Sequence, residues 1–226
     1  MDRCQIPHAC VGVRLSIYYG GTFDPVHNGH LAIAMAAQSA FSTDVILLPS
    51  ADPPHRPPAS ASAEQRAAMV DLAIAGRPGL HCDRRELRRS GKSYSVLTLH
   101  ELREEHGLEQ PLAWLIGIDS FLGLPSWHHW RDLFGLCHFI VVRRPGRDVA
   151  DADAVLSEAC LGRWQTDPET LDQCPSGRIY LLPMALRPES ATAVRNGLQT
   201  GQNMNAVLSP SVAAYIHRHG LYTSGV

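Results

Sequence analysis

Gly20-Gly21-Thr22-Phe23-Asp24-Pro25-Val26-His27-Asn28-Gly29-His30 is the stretch on which the rest of the chain turns. The apolar, aromatic run before it (Leu15, Ile17, Tyr18, Tyr19) reads as a short buried strand. Leu31 to Ala40, dominated by alanine and large aliphatics, reads as a helix. Strand, glycine turn and helix start in that order make a phosphate site. The first N–H groups of a helix have no internal partner, and the peptide dipoles place positive charge there. Gly20 and Gly21 are expected to bring the backbone close to a ligand that a Cβ would block. His27 and His30 are three apart and so share one face of the first helical turn. The competing reading is a steric turn with packed or capping histidines, which leaves the pairing of two imidazoles around a glycine unexplained.

Bulk properties narrow the classes. At 226 residues the chain suits one α/β domain with a substantial core. A net charge of −2 excludes a strongly basic nucleic-acid binder, so recognition of phosphate has to be local. Residues 1–14 are expected to be a loose N-terminal extension, or to precede the true start. They lack the apolar core of a signal peptide and contain Asp2, Arg3 and Arg14. No run approaches the roughly 20 apolar residues of a membrane span, and a cytoplasmic location is expected. The six cysteines form no Cys-x-x-Cys pair and read as core residues or free thiols. No Glu or Cys at metalloprotease spacing accompanies His27 and His30, so no protein-held metal is expected there.

Further along, strand and helix patterns alternate. Asp44 to Pro49 reads as a buried parallel strand. The proline-rich loop that follows carries His55 and Arg56 to the carboxyl edge of the sheet, where open α/β folds bind ligands. Ser62 is a natural N-cap for an amphipathic helix to Ala75 with Arg66 among its polar residues. Gly79 to Cys82 is a third strand, and the charged cluster Asp83 to Arg89 is expected to be an exposed loop. Ser93-Tyr94-Ser95 is expected to cap a helix reaching about Glu105. Pro111 to Gly117 is a fourth strand followed by Asp119, a position suited to reading a base or ribose, to capping a helix, or to both. Trp127 offers an aromatic face near that edge. Leu136 to Val142 is a fifth strand, and Arg144 just beyond it is poorly explained by packing. Ala150 to Cys160 reads as a helix, and Arg178 to Pro183 as a further strand.

Glu189-Ser190-Ala191-Thr192-Ala193-Val194-Arg195 forms a second anion cradle. Ser190 is an N-cap, and Thr192 and Arg195 share a face. Ser209-Pro210 opens a last helix that stops at Gly220, with His217 and His219 on its surface. The pattern predicts an α/β, Rossmann-like doubly wound parallel sheet of about five strands. Residues 15–226 would be a single domain whose small helical C-terminal segment spans about 190–222.

Gly21-Thr-Phe-Asp-Pro-Val-His-Asn-Gly-His30 resembles the (His/Thr)-x-Gly-His signature of the nucleotidyltransferase superfamily, and its wording looks most like the nicotinate-nucleotide adenylyltransferases. Pro53-Pro54-His55-Arg56 and the Ser190-Ala-Thr-Ala-Val-Arg195 stretch are similar to further motifs of that family. Glu189 stands where the family has isoleucine, Val194 replaces a second isoleucine, Ser95 replaces threonine, and His128 stands where an aromatic residue is common. The resemblance implies transfer of AMP from ATP to nicotinate mononucleotide, giving nicotinate adenine dinucleotide and pyrophosphate, with Mg²⁺ carried by the ATP phosphates.

It also implies roles for the residues. His27, His30 and Arg195 would be catalytic. Gly21, Thr22, Phe23, Gly117, Asp119, Arg144, Ser190 and Thr192 would join them in holding ATP. His55, Arg56, Ser93, Tyr94, Ser95 and Trp127 would hold the mononucleotide. Two other readings stand beside this one: a sister transferase with another phosphate acceptor, and a nucleotide sensor without turnover.

Overall fold

The computed structural model describes residues 14–52, 59–185 and 188–223. Seven strands among them form one all-parallel sheet: β1 (Ser16–Gly21), β2 (Val45–Pro49), β3 (Leu80–Cys82), β4 (Leu112–Gly117), β5 (His138–Val142), β6 (Trp164–Gln165) and β7 (Ile179–Leu182). Their order is β3-β2-β1-β4-β5-β7-β6. The Rossmann-like expectation holds, with more strands than about five. The additional edge strand β6 has two residues, too few to produce a periodic signal, and it exists through its pairing with Ile179 and Tyr180.

The helices are α1 (Asn28–Phe41), α2 (Ala63–Ile74), α3 (Arg85–Arg88), α4 (Ser95–His106), α5 (Ile118–Leu122), α6 (Leu133–Leu136), α7 (Ala154–Ala159), α8 (Ala191–Gln199) and α9 (Pro210–Arg218). Alternation along the strands divides the core between the two faces of the sheet. Ile17, Tyr19, Leu47, Leu115 and Ile140 pack with residues of α1, α2, α8 and α9. Tyr18, Leu48, Trp114, Ile116 and Phe139 pack with Val96, Leu99 and Leu102 of α4. Val212, Ile216 and Tyr222 belong to the first of these clusters, and Ser211 Oγ donates to the Leu72 carbonyl of α2 at 3.0 Å. The C-terminal segment is therefore packed on the sheet's helical layer.

Several local expectations need correction. The helix expected over Ala150 to Cys160 is a 3-10 turn (Val149–Asp151) followed by α7, where Asp153 caps with an acceptor for Leu156 N–H. Asp83 to Arg89 is not a solvated loop. It contains α3, and Glu86 is buried where the Thr98 hydroxyl donates to it at 2.7 Å. Sequence pattern alone treats these charges as solvated because their partners, Thr98, Glu101 and Glu105, come from another helix. Ser62, Ser190 and Ser209 cap their helices as the local chemistry requires. The described cysteines, Cys82, Cys137, Cys160 and Cys174, are free thiols.

Candidate active site

In an open parallel sheet, ligands bind at the carboxyl edge where strand order reverses. Here that point lies between β1 and β4, which pair from Ser16↔Leu112 to Tyr19↔Leu115. A cavity of about 680 Å³ opens at this edge, a size typical of small-molecule sites. Its lining brings together Gly21, Thr22, Phe23, His27 and His30 from the β1–α1 turn. Gly117 and Asp119 follow β4, Trp127 follows α5, and Arg144 follows β5. Ser190, Thr192 and Arg195 come from the start of α8, and Ser93, Tyr94 and Ser95 from the start of α4. His55 and Arg56 lie outside the described residues.

The first cradle is held by contacts that span the chain. Asn28 N–H donates to the Val207 carbonyl at 2.8 Å, anchoring the start of α1 to the segment before α9. The His27 backbone N–H donates to Nδ1 of His30 at 3.2 Å, and the two rings stack with centroids 3.7 Å apart. Phe23 adopts φ +49°, an uncommon conformation for a side-chain-bearing residue, and its ring meets that of His30 edge-on at 5.1 Å. The two glycines line the cavity and also meet a packing demand. A Cβ at Gly20 would lie 2.3 Å from the Trp114 ring, and one at Gly21 would lie 2.9 Å from the Phe23 ring. They make room for the protein's own aromatic rings, a packing demand that the turn sequence does not reveal. Gly117, in contrast, has open space where its Cβ would be.

Asp24 joins the first cradle to the second. Its carboxylate accepts the N–H groups of Ser60 and Ala61 at 2.8 and 3.2 Å and the Tyr222 hydroxyl at 2.7 Å. Its carbonyl accepts Arg195 Nη1 at 2.7 Å. The same guanidinium donates from Nη2 to Thr192 Oγ1 at 3.4 Å, so the side chains share a face as the spacing predicts.

Arg66 is the residue the sequence hid most completely. Read as a polar helix position, it is 1% exposed. Its guanidinium donates to the carbonyls of Thr22 (2.6 Å), Ser50 (2.7 Å), Ala51 (3.0 Å) and Ala61 (3.2 Å). It thereby fixes the turn after β1 to the loop after β2. Glu64, Gln65 and Arg66 are consecutive polar residues of α2, and only the packing of the helix turns the third of them inward.

One expected cap, and one alternative reading, are not realised. Ser93 does not cap α4. Its hydroxyl accepts the N–H groups of Ala51 and Asp52 at 3.0 and 3.1 Å, and Tyr94 occupies the cap position with no side-chain bond. Asp119 does not cap α5, where Gly117 stands at the cap. Asp119 instead accepts from Arg144 Nη1 at 3.1 Å and Arg147 Nε at 3.3 Å. Elsewhere in the cavity lining the Tyr94 and His128 rings lie 4.4 Å apart. The imidazole at 128 thus occupies an aromatic partner's place.

Electrostatically the cradle is prepared for an anion without carrying a permanent imidazolium. Burial holds His27 well below the ordinary histidine range, to about 4. Glu189 pulls upward and Arg144 pushes further down. Arg143, Arg144 and Arg195 are the cations in the cavity lining, set against Asp24, Glu86, Asp119 and Glu189, with Arg144 paired to Asp119.

Residues 18–197 match the cytidylyltransferase-like family. A probable nicotinate-nucleotide adenylyltransferase of Stenotrophomonas maltophilia (strain K279a) is 52% identical over 216 residues, covering 93% of this chain and 97% of that protein. The chain belongs to this family. A relative of the same description from Xylella fastidiosa (strain M12) is 44% identical over 213 residues, covering 92% of this chain and 96% of that one. Among solved structures, a Plasmodium falciparum nicotinic acid mononucleotide adenylyltransferase complexed with NaAD superposes with a TM-score of 0.70 at 16% identity. That likeness covers 92% of this chain and 97% of the other, and at so low an identity it speaks for the fold. No described helix is long and apolar enough to cross a membrane.

Proposed function

We propose that this cavity transfers AMP from ATP to nicotinate mononucleotide, releasing pyrophosphate. The observation that carries the reading is the meeting of two anion cradles, the His27–His30 turn and the Thr192–Arg195 helix start, through Asp24. The family of this chain supports the chemistry, as its relatives at 52% and 44% identity carry the adenylyltransferase description.

The 5′-phosphate of the mononucleotide attacks the α-phosphorus of ATP through an oxygen that is already anionic near neutral pH. One P–O bond forms, the bond to the β-phosphate bridging oxygen breaks, and pyrophosphate leaves with the electron pair. No general base is needed. Catalysis then consists of holding two anions in line, an advantage of about 7–11 kcal/mol when geometry is good, and of stabilising charge on the α-phosphate and leaving group. His27 and His30 serve the α- and β-phosphates, and Thr192 and Arg195 the β- and γ-phosphates. Gly117 and Asp119 hold the nucleoside side of ATP and Arg144 its phosphate side, while Tyr94 and Trp127 provide faces for the pyridine ring.

Magnesium fits this cavity as a companion of the nucleotide. Asp24 and Asp119, the aspartates that line it, are engaged by N–H, hydroxyl and guanidinium donors. Phosphate oxygens would be its ligands, and it would neutralise their charge. A pyrophosphate-release assay with ATP and, in turn, the nicotinate, nicotinamide and phosphopantetheine acceptors tests the proposal. Release dependent on nicotinate mononucleotide is expected. ATP binding without release, or preference for another acceptor, overturns it.

A further inference from the structure

We propose that Glu189 is a positioning residue for His27, its carboxylate accepting a hydrogen bond from His27 Nδ1 when ATP fills the cavity and leaving Nε2 for the triphosphate. The inference rests on the adenylyl transfer proposed above.

Glu189 precedes the cap of α8 and lines the cavity together with His27. The point where Gly29 lacks a Cβ lies 3.0 Å from His27 Nδ1 and 3.2 Å from Glu189 Cβ, so the two side chains border one gap. The carboxylate oxygens of Glu189, carried beyond Cβ by Cγ and Cδ, can span that gap by rotation of the side chain. His27 is 5% exposed and its Nδ1 is buried; the His30 backbone N–H set against it in a capping-box arrangement is committed to the His27 carbonyl at 2.9 Å, which leaves Nδ1 without a well-formed hydrogen bond. A buried polar atom in that condition costs free energy until a partner arrives.

His30, Asp24, Arg195 and Arg144 are other polar groups that line the cavity beside Glu189 and His27. His30 is stacked on its ring and already accepts the His27 backbone N–H through Nδ1. Asp24 is engaged by Ser60, Ala61 and Tyr222, and Arg195 by Asp24 and Thr192. Arg144, a cation, opposes protonation of the ring, and Glu189 favours it.

The position also departs from the resemblance, which has isoleucine where this chain has Glu189. Isoleucine offers no acceptor. A carboxylate at the edge of an anion cradle works against ATP unless it serves a cation, and a histidine that becomes charged with the nucleotide is such a cation. As the triphosphate enters, Nε2 takes up a proton from solvent while Nδ1–H donates to Glu189. Partners of this kind orient an imidazole and strengthen its basicity.

The test uses the full chain and the variants Glu189→Gln, Glu189→Ile and Glu189→Asp. Nitrogen-15 NMR of histidine reads the tautomer and titration of His27 with and without a non-hydrolysable ATP analogue, and pyrophosphate release is followed against pH. In the wild-type complex the Nδ1–H form and a raised titration midpoint are expected. Glu189→Gln and Glu189→Ile should lower the midpoint and reduce kcat by on the order of tenfold, with Glu189→Asp recovering part of both. An unchanged His27 tautomer and titration in Glu189→Ile would overturn the assignment. A wild-type protein that releases no pyrophosphate would instead defeat the proposed function, and the NMR titration would still read the Glu189–His27 contact independently.

Discussion

Arg195 Nη1 donates to the backbone carbonyl of Asp24 across 171 positions of sequence, at 2.7 Å. This bond sets the start of α8 against the turn after β1, so that a histidine pair and a guanidinium line the same cavity. Had the two helix starts opened into different crevices, an in-line transfer between two phosphates would have had no common site.

Replacing Arg195 by lysine keeps the charge but removes the fork that holds Asp24 and Thr192 together. kcat/KM for ATP in Arg195→Lys should fall by roughly 10²-fold, with Arg195→Ala at least as severe. Steady-state kinetics with saturating mononucleotide give the answer, and a lysine variant within threefold of wild type contradicts the role.

His30→Ala should lower kcat and kcat/KM together by at least about a hundredfold, as expected for a donor that tightens at the transition state. If KM for ATP rises while kcat is unchanged, His30 contributes only to ground-state binding.

Trp127 should affect the other substrate. Base–aromatic stacking is worth about 1–3 kcal/mol, so Trp127→Ala should raise KM for the mononucleotide about tenfold with little change in KM for ATP. Equal changes for both substrates would mean that the ring supports the cavity wall instead of the pyridine.

Arg66 is a structural prediction. Arg66→Met removes a buried donor set and strands the carbonyls of Thr22, Ser50, Ala51 and Ala61. A buried polar group left without its partner costs about 1–3 kcal/mol. Denaturant unfolding should show that loss, and a variant as stable as wild type would show that water replaces the guanidinium.

Stability should fall in mild acid. His27 and His138 are both held at about 4 by burial, against an ordinary value of 6.5. Between those values the unfolded chain binds protons that the folded chain refuses, so stability rises with pH across this window and is lost as pH falls through it. Melting temperatures at pH 7.5 and pH 5 test this. His138, which accepts Arg178 N–H at Nδ1 and sits 2.8 Å from the Cys174 carbonyl at Nε2, lies outside the cavity. His138→Gln should flatten the pH dependence while lowering stability throughout.

Much of this protein was readable from local order. Three helix caps at Ser62, Ser190 and Ser209, the strand runs of β1, β2, β4 and β5, and the spacing of Thr192 and Arg195 all depend on neighbours within a few residues. Those interactions are written in the sequence at the distance over which they act. Only the tertiary structure decided that Arg66 is buried, that Ser93 ties down the β2 loop, that Gly20 yields to Trp114, and that Glu189 borders His27. Each of these is a contact between segments far apart in the chain. A charged or small residue looks the same along the sequence whatever eventually packs against it, and only folding brings the partner that gives it a role.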